Sequence, residues 1–274
     1  MIDVPSPVTD PSCALPQIEL GGVRLHAISE SQCVSYVLEC LGRDRGGWIA
    51  TANLDHMRRL RNSADFRSIY GGASVVVADG MPLVWAARLQ GTPLPDRVAG
   101  SDLIYSLTAG ASATQRSVFF LGGVPGSADA TAQKLAEKHP GLRVAGTCCP
   151  PLGFERDPEQ MEALRCALKD AQPDIVFVAL GSPKQEELIS QMHSILPQAW
   201  WIGIGGSFCF VAGTIHRAPS WVQRIGFEWL HRLAQSPRRL GARYLWYGPP
   251  SFLWLILSGI RGRRASRRKL DAER

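Results

Sequence analysis

The sequence predicts an α/β fold organised on a mostly parallel sheet, and three sets of residues carry that prediction. In VVVADGMPLVWAARL an apolar strand empties into Asp79-Gly80 and a helix-like run follows. Upstream, GGWIATANLDHMRRL repeats the design, with a strand ending at Thr51-Ala52-Asn53 and a helical pattern starting near Asp55. Downstream, SVFFLGGVPGSADA, PDIVFVALGSPKQEE and WWIGIGGSFCFVAG each pass from a β-rich segment through a loop of small residues into a helix. Repeated strand, loop and helix units pack as a parallel sheet flanked by helices, a Rossmann-like layout. Such sheets bind ligands where their strands end, so that edge is the expected site.

Taken in order, IELGGVRLHAI reads as a small N-terminal hairpin, two short strands joined by a Gly-Gly turn. Strands of the main sheet are expected near Trp48–Thr51, Ser74–Ala78, Ser117–Leu121, Leu142–Thr147, Asp174–Leu180 and Trp200–Ile204. After His216 the pattern changes. Val222, Ile225, Trp229, Leu230 and Leu233 fall on one helical face, and Pro237 either ends that helix or begins another. The expected organisation is a flexible leader over residues 1–17, an α/β body over 18–215 and a basic helical C-terminal appendage over 216–274.

Hydrophobic residues make up 45% of the chain and charged ones 20%, which is ordinary globular usage. The start, MIDVPSPVTDPSCALPQ, has no basic head and no long apolar run, so an uncleaved leader is expected there and no signal peptide. Seven cysteines are scattered, with Cys148-Cys149 the only close pair and no CxxC or His/Cys ligand spacing. That usage fits a reducing cytoplasm and no structural zinc.

The net charge of +6 is unevenly distributed. From Arg217 onward there are thirteen basic and three acidic residues, whereas the preceding 216 hold 17 basic and 21 acidic. All the positive excess is therefore in the tail, where PPSFLWLILSGI, Pro249 to Ile260, runs directly into RGRRASRRK. The apolar stretch is far shorter than the roughly 20 residues a spanning helix needs. An apolar anchor beside a polybasic run suits an anionic membrane surface better than nucleic acid, each Lys or Arg contributing about 1 kcal/mol. The alternative is that Phe252, Trp254, Leu255 and Ile256 pack on the body or form a contact in a homo-oligomer.

Several strand-end residues are candidates for chemistry, and each has a plainer alternative. Asp79 stands where a catalytic carboxylate would, or else caps the following helix. Asn53 reads equally as a helix cap, Arg97 as a partner of Asp96 or Asp102, and Gln185 as an exposed residue at a helix start. Gly122 and Gly123 in FLGGVPGSA, and Gly205 and Gly206 in GIGGSF, serve tight turns needing positive φ or offer backbone N–H groups to a diphosphate. Neither loop is a P-loop or GxGxxG, so an ATP or nicotinamide site is not supported. In the tail, Arg232 faces the site or pairs with Glu228 four residues before it. Arg239 and Arg243, also four apart, repel one another unless a bound diphosphate relieves them.

The strings TANLDH, ADGMPLVWAARL, DRVAGSDL, FFLGGVPGSA, ALGSPKQE, GIGGSFCFVAG and HRAPSWVQRIGFEWLHRLAQSPRR together resemble the WecG/TagA/CpsF family of bacterial glycosyltransferases, glycosyltransferase family 26, from about Ile18 to about Tyr247. The resemblance implies an inverting enzyme on the cytoplasmic membrane face that moves a sugar from a UDP-sugar donor to a polyprenyl-diphosphate-linked sugar acceptor. N-acetylmannosamine, its uronic acid or glucose is the sugar moved. By resemblance Asp79 is the general base, Arg97 stabilises charge or orients the donor, and Thr51, Asn53 and Gln185 hydrogen-bond sugar or acceptor. The same resemblance folds Arg232, Arg239 and Arg243 over the site to grip a diphosphate. One position departs from it: Cys209 stands in GGSFCFVAG where the family often has Asp, which weakens a donor contact there. No DxD string occurs, so arginines and helix N-termini are expected to neutralise the leaving diphosphate without a metal ion or other cofactor. A nucleotide-dependent oxidoreductase would want a GxGxxG turn that is absent. A non-catalytic membrane- or nucleic-acid-binding protein would leave the polar strand ends unexplained.

Overall fold

Residues 15–224 and 226–272 are described by the structure, a computed structural model, with the side chains of Ser220, Arg224, Arg239 and residues 264–272 outside the description. Most of the expected leader therefore falls outside it. The first elements are the hairpin strands β1 (Gln17–Leu20) and β2 (Val23–His26), paired antiparallel across Gly21 and Gly22, whose φ values of 57° and 80° are those of the expected tight turn.

The main sheet comprises β3 (Gly47–Ala52), β4 (Val75–Ala78), β5 (Ser117–Gly122), β6 (Arg143–Cys148), β7 (Ile175–Ala179) and β8 (Trp200–Gly203). All six stand within a residue of their expected ends and pair in parallel in the order β4-β3-β8-β7-β5-β6. Alternate residues of each strand face opposite layers. Trp48, Ala50, Ala52, Val76, Val176, Val178 and Trp201 enter one core, and Ile49, Val75, Val77, Ile175, Phe177, Trp200 and Ile202 the other. Each fully buried large apolar side chain contributes on the order of 1.5–3 kcal/mol, so the sheet is held from both faces.

Helices cover those faces: α1 (Glu30–Leu41), α2 (Leu54–Asn62), α3 (Ala64–Gly71), α4 (Met81–Gln90), α5 (Gly100–Ala113), α6 (Ser127–Lys138), α7 (Pro158–Ala171), α8 (Lys184–Met192) and the short α9 (Ser207–Val211). The C-terminal segment adds α10 (Ser220–Arg224), α11 (Glu228–Gln235), α12 (Pro237–Gly241), a π-helical turn (Ala242–Tyr247) and α13 (Gly248–Ala272).

The structure corrects the expected helix over Val222–Leu233, which is two helices. Gly226 breaks it with φ 80°, and a Cβ there would come within 2.8 Å of Trp85 and 2.9 Å of Met81 on α4. Close approach to α4 thus requires glycine and turns the chain at a position that helical spacing alone cannot reveal. Ile225 lies outside the described residues. Pro237 opens α12 directly after α11 ends, so both readings of that proline hold.

The apolar stretch of the tail follows its alternative reading. α13 packs along α4, where Gly259 lets the two backbones meet, since a Cβ there would stand 2.7 Å from the carbonyl oxygen of Ala86. Leu255 is fully buried, Trp254 and Ile256 pack against the same core, and Phe252 meets Trp85 edge-on at 6.2 Å between ring centroids. The last helix is thus joined to the body's core. Its opposite face leaves Leu253, Leu257 and Ile260 exposed at helical spacing.

Candidate active site

From β3 the chain runs outward to β4, while the other neighbour of β3 is β8, the last strand. In an open parallel sheet the ligand crevice is expected at the C-terminal edge where the strand order changes direction, here beside β3. Thr51 and Asn53 end β3, Asp79 ends β4, and Gly205 and Gly206 follow β8. Gly122 and Gly123 end β5 farther along the same edge. A side chain at Gly123, whose φ is 87°, would run into Ser127 and Phe208, so the turn into α6 demands glycine.

Asp79 is not a cap. The N-cap of α4 is Gly80, with no side-chain hydrogen bond to the helix, and the N–H of Asp79 donates to Ala52 O at 2.7 Å, which fixes its backbone beside the end of β3. The segment after α4 returns along β4, with Val98 N–H donating to Ala78 O at 2.8 Å, and this brings Arg97 to face Asp79. Arg97 Nη1 lies 3.8 Å from Asp79 Oδ1, while its Nη2 donates to Asp102 Oδ2 at 2.9 Å. Both expected partners of Arg97 are engaged, Asp96 through the backbone N–H of Arg97 at 2.7 Å.

Asp79 keeps 27% of its side-chain surface open to solvent, with Arg97 beside it. Burial raises its pKa to about 7, Arg97 and Arg232 opposing the rise while Glu228 and Asp102 add to it. A carboxylate with that affinity takes a proton readily near neutral pH.

The C-terminal segment closes over this edge. Glu228 Oε2 stands 3.7 Å from Arg97 Nη1 and its Oε1 3.7 Å from Arg217 Nε, and Arg217 in turn donates to Asp102. Glu228 is thus directed at the cleft rather than along its own helix toward Arg232. Arg232 stacks over the Phe210 ring at 5.3 Å, with its Nη2 directed toward Gly206. Arg217 is held above its ordinary pKa: burial works against its charge, but its hydrogen bond to Asp102 and the charges of Asp102, Glu228 and Asp79 outweigh that. Its Nε and Nη2 are buried without a hydrogen-bond partner.

The remaining candidates divide. Asn53 is a helix cap, accepting from the N–H groups of Asp55 and His56, and it also accepts from Arg243 Nη2 at 3.1 Å. Arg243 further approaches Asp55, a residue that burial would make more basic but that Arg243, Arg58 and Arg59 hold below the usual carboxylate range. Arg243 therefore finds its acidic partner on the body. Thr51 is buried and its hydroxyl donates to Gly203 O at 3.3 Å, tying β3 to β8. Gln185 is buried rather than exposed, accepting from Gly205 N–H at 2.9 Å and donating to Glu186 at 2.8 Å. Cys209 lies half-buried on α9. The Arg239 side chain lies outside the described residues.

Sequence reasoning missed Arg217, and it named Glu228 only as a partner for Arg232 and Asp102 only as a partner for Arg97. A signal for Glu228 existed, since it is the lone acidic residue between Arg217 and Asp271. His56 and Glu186, 3.6 Å apart and buried with Tyr70 behind the end of β3, were also missed. Burial lowers the pKa of His56 despite Glu186, so its imidazole is neutral at pH 7.

An open parallel sheet with a basic carboxylate, an arginine cluster and glycine turns at its switch point has the features of a group-transfer enzyme acting on anionic substrates. A model of the family described as "Glycosyl transferase WecG/TagA/CpsF family" matches residues 18–266, and the chain belongs to that family and is a glycosyltransferase. It is 33% identical over 199 residues, 73% of this chain and 75% of the relative, to the N-acetylglucosaminyldiphosphoundecaprenol N-acetyl-beta-D-mannosaminyltransferase of Bacillus spizizenii. The Bacillus subtilis protein of the same description is 31% identical over 194 residues, 71% of this chain and 73% of its own length.

Proposed function

We propose that this glycosyltransferase moves N-acetylmannosamine from its UDP-linked form onto an N-acetylglucosaminyl group carried on a polyprenyl diphosphate, with inversion at the anomeric carbon. The observation that carries the reading is Asp79: a carboxylate with a pKa near 7, free of capping duty, beside Arg97 at the strand edge. Asp79 removes the proton of the acceptor hydroxyl as that oxygen bonds to the anomeric carbon. The bond from that carbon to the donor's diphosphate breaks, and its electron pair leaves with UDP. Arg97 and Arg232 stabilise the departing charge, the N–H groups of the Gly122–Gly123 and Gly205–Gly206 turns assist, and Arg239 and Arg243 serve the acceptor's diphosphate. Thr51, Asn53 and Gln185, committed to contacts within the protein, shape the crevice.

The acceptor's lipid implies a membrane. Among the described residues no helix is long and apolar enough to cross one. Docking on the inner face of the plasma membrane is supported by the exposed row Leu253, Leu257 and Ile260, the 77%-exposed Trp246 nearby and exposed Arg261 and Arg263. A transfer assay pairing a panel of UDP-sugars with N-acetylglucosaminyl diphosphopolyprenol tests the reading. Transfer of N-acetylmannosamine with release of UDP is expected, and a different donor sugar or no transfer in any pairing overturns it.

A further inference from the structure

One carboxylate of the C-terminal segment reaches the cleft, and it meets the same guanidinium that faces Asp79. Arg97 is ringed by three acids, at 2.9 Å from Asp102, 3.7 Å from Glu228 and 3.8 Å from Asp79, and only the first distance is that of a hydrogen bond. We propose that Glu228 is a positioning residue that holds Arg97 off Asp79. This rests on the reading of Asp79 as the base and goes beyond it, because it gives a carboxylate of the C-terminal segment the task of setting the strength of that base.

A guanidinium brought into contact with a carboxylate lowers its pKa by roughly 1–3 units, and an acid so stabilised is a poor proton acceptor. Glu228 counters this twice. It draws Arg97 toward α11, and its own negative charge disfavours the ionised form of Asp79, which is among the causes of the raised pKa. Asp102 offers the same charge from the first turn of α5. Arg217 fixes Glu228 and Asp102 together, lying 3.7 Å from the former and hydrogen-bonded to the latter.

The charged and titratable groups facing Asp79 are Arg97 before α5, Asp102 on α5, Arg217 before α10, Glu228 and Arg232 on α11, and Tyr70 on α3. Of those arriving with α11, Arg232 acts in the opposite sense to Glu228. Loss of Glu228 alone therefore leaves Asp79 facing three cations, Arg97, Arg217 and Arg232, with one fewer acid among them.

The test is the pH profile of kcat/KM with a short-chain, water-soluble acceptor for the intact chain and for Glu228→Gln, Glu228→Asp and Asp79→Asn. Glu228→Gln is expected to move the acid limb down by about half a unit or more and to lower the plateau roughly 3- to 10-fold, with Glu228→Asp restoring the limb. A limb that stays in place or moves up overturns the proposal. Carboxyl 13C NMR, with the Asp79 resonance assigned by its absence in Asp79→Asn, reads the same midpoint without turnover. An unshifted midpoint in Glu228→Gln likewise overturns it. If Asp79→Asn is inactive and the limb of Glu228→Gln is unmoved, the role of Glu228 alone fails. If Asp79→Asn is active, the base reading fails with it.

Discussion

Arg243 donates to Asn53 Oδ1 at 3.1 Å, the same oxygen that accepts the backbone N–H groups of Asp55 and His56. One amide thus caps α2 and latches the C-terminal segment to the end of β3. Replacing Asn53 with Ala should cost about 1 kcal/mol through the lost cap. It should also raise KM for the lipid-linked acceptor more than KM for the donor, because Arg243 loses its anchor. Asn53→Asp, which can still cap and accept from Arg243, should restore most of both in melting and steady-state assays.

Asp79→Asn should lower turnover on the order of 100-fold or more while the fold persists. In the intact enzyme, activity should rise as pH increases through about 7, because the protonated acid cannot accept a proton. Stability should move the other way. With its folded pKa raised from 3.8 to about 7, Asp79 favours the native state most below the unfolded value, and that contribution is lost as pH rises through the folded one. Asp79→Asn should therefore match the parent's stability near pH 4 and exceed it by roughly 1–4 kcal/mol at pH 8, measured by denaturant unfolding. Equal stability at both pH values would contradict the buried-base description.

If the arginines around Asp79 and the glycine-turn N–H groups neutralise the leaving diphosphate as proposed, transfer should continue in EDTA. A strict requirement restored by magnesium or manganese would show that this neutralisation is insufficient.

Gly226→Ala should be damaging out of proportion to its size. It adds a Cβ 2.8 Å from Trp85 at a φ of 80°, so either α4 or α11 must shift. A loss of about 1–3 kcal/mol is expected, together with reduced kcat as Glu228 and Arg232 are displaced. An unchanged kcat would mean that the register of α11 is unimportant to the reaction.

The two faces of α13 should be separable. Leu255→Ala should destabilise by about 2–5 kcal/mol, since Leu255 is fully buried in the body's core. Combined Leu253→Ser, Leu257→Ser and Ile260→Ser should instead leave the melting temperature nearly unchanged and weaken binding to anionic vesicles, read by co-sedimentation. For the same reason, truncation after Pro249 should lower stability as well as release the protein from vesicles, because it removes Leu255 and Trp254 from the core. High salt should weaken vesicle binding by the intact chain through screening.

The sheet and the edge that carries the candidate site were legible in the sequence because strand, loop and helix follow one another locally. The apolar run ending at Asp79 and the glycine pairs after β5 and β8 declare themselves within a few residues. The strand-end location of Thr51, Asn53 and Asp79 follows from that local pattern. Tertiary structure alone decided which alternative each side chain took, because those outcomes depend on contacts between segments far apart in the chain. Asp79 escaped capping because Gly80 takes the cap position, whereas Asn53 did not. Gln185 was claimed by the Gly205 turn, and Glu228 turned from its helical neighbour Arg232 to Arg97 and Arg217. The break at Gly226 and the burial of Leu255 likewise depend on α4, a surface supplied by the other half of the chain. Local periodicity determines which face of a helix is apolar; only the packed partner determines whether that face meets protein or is left open to another surface.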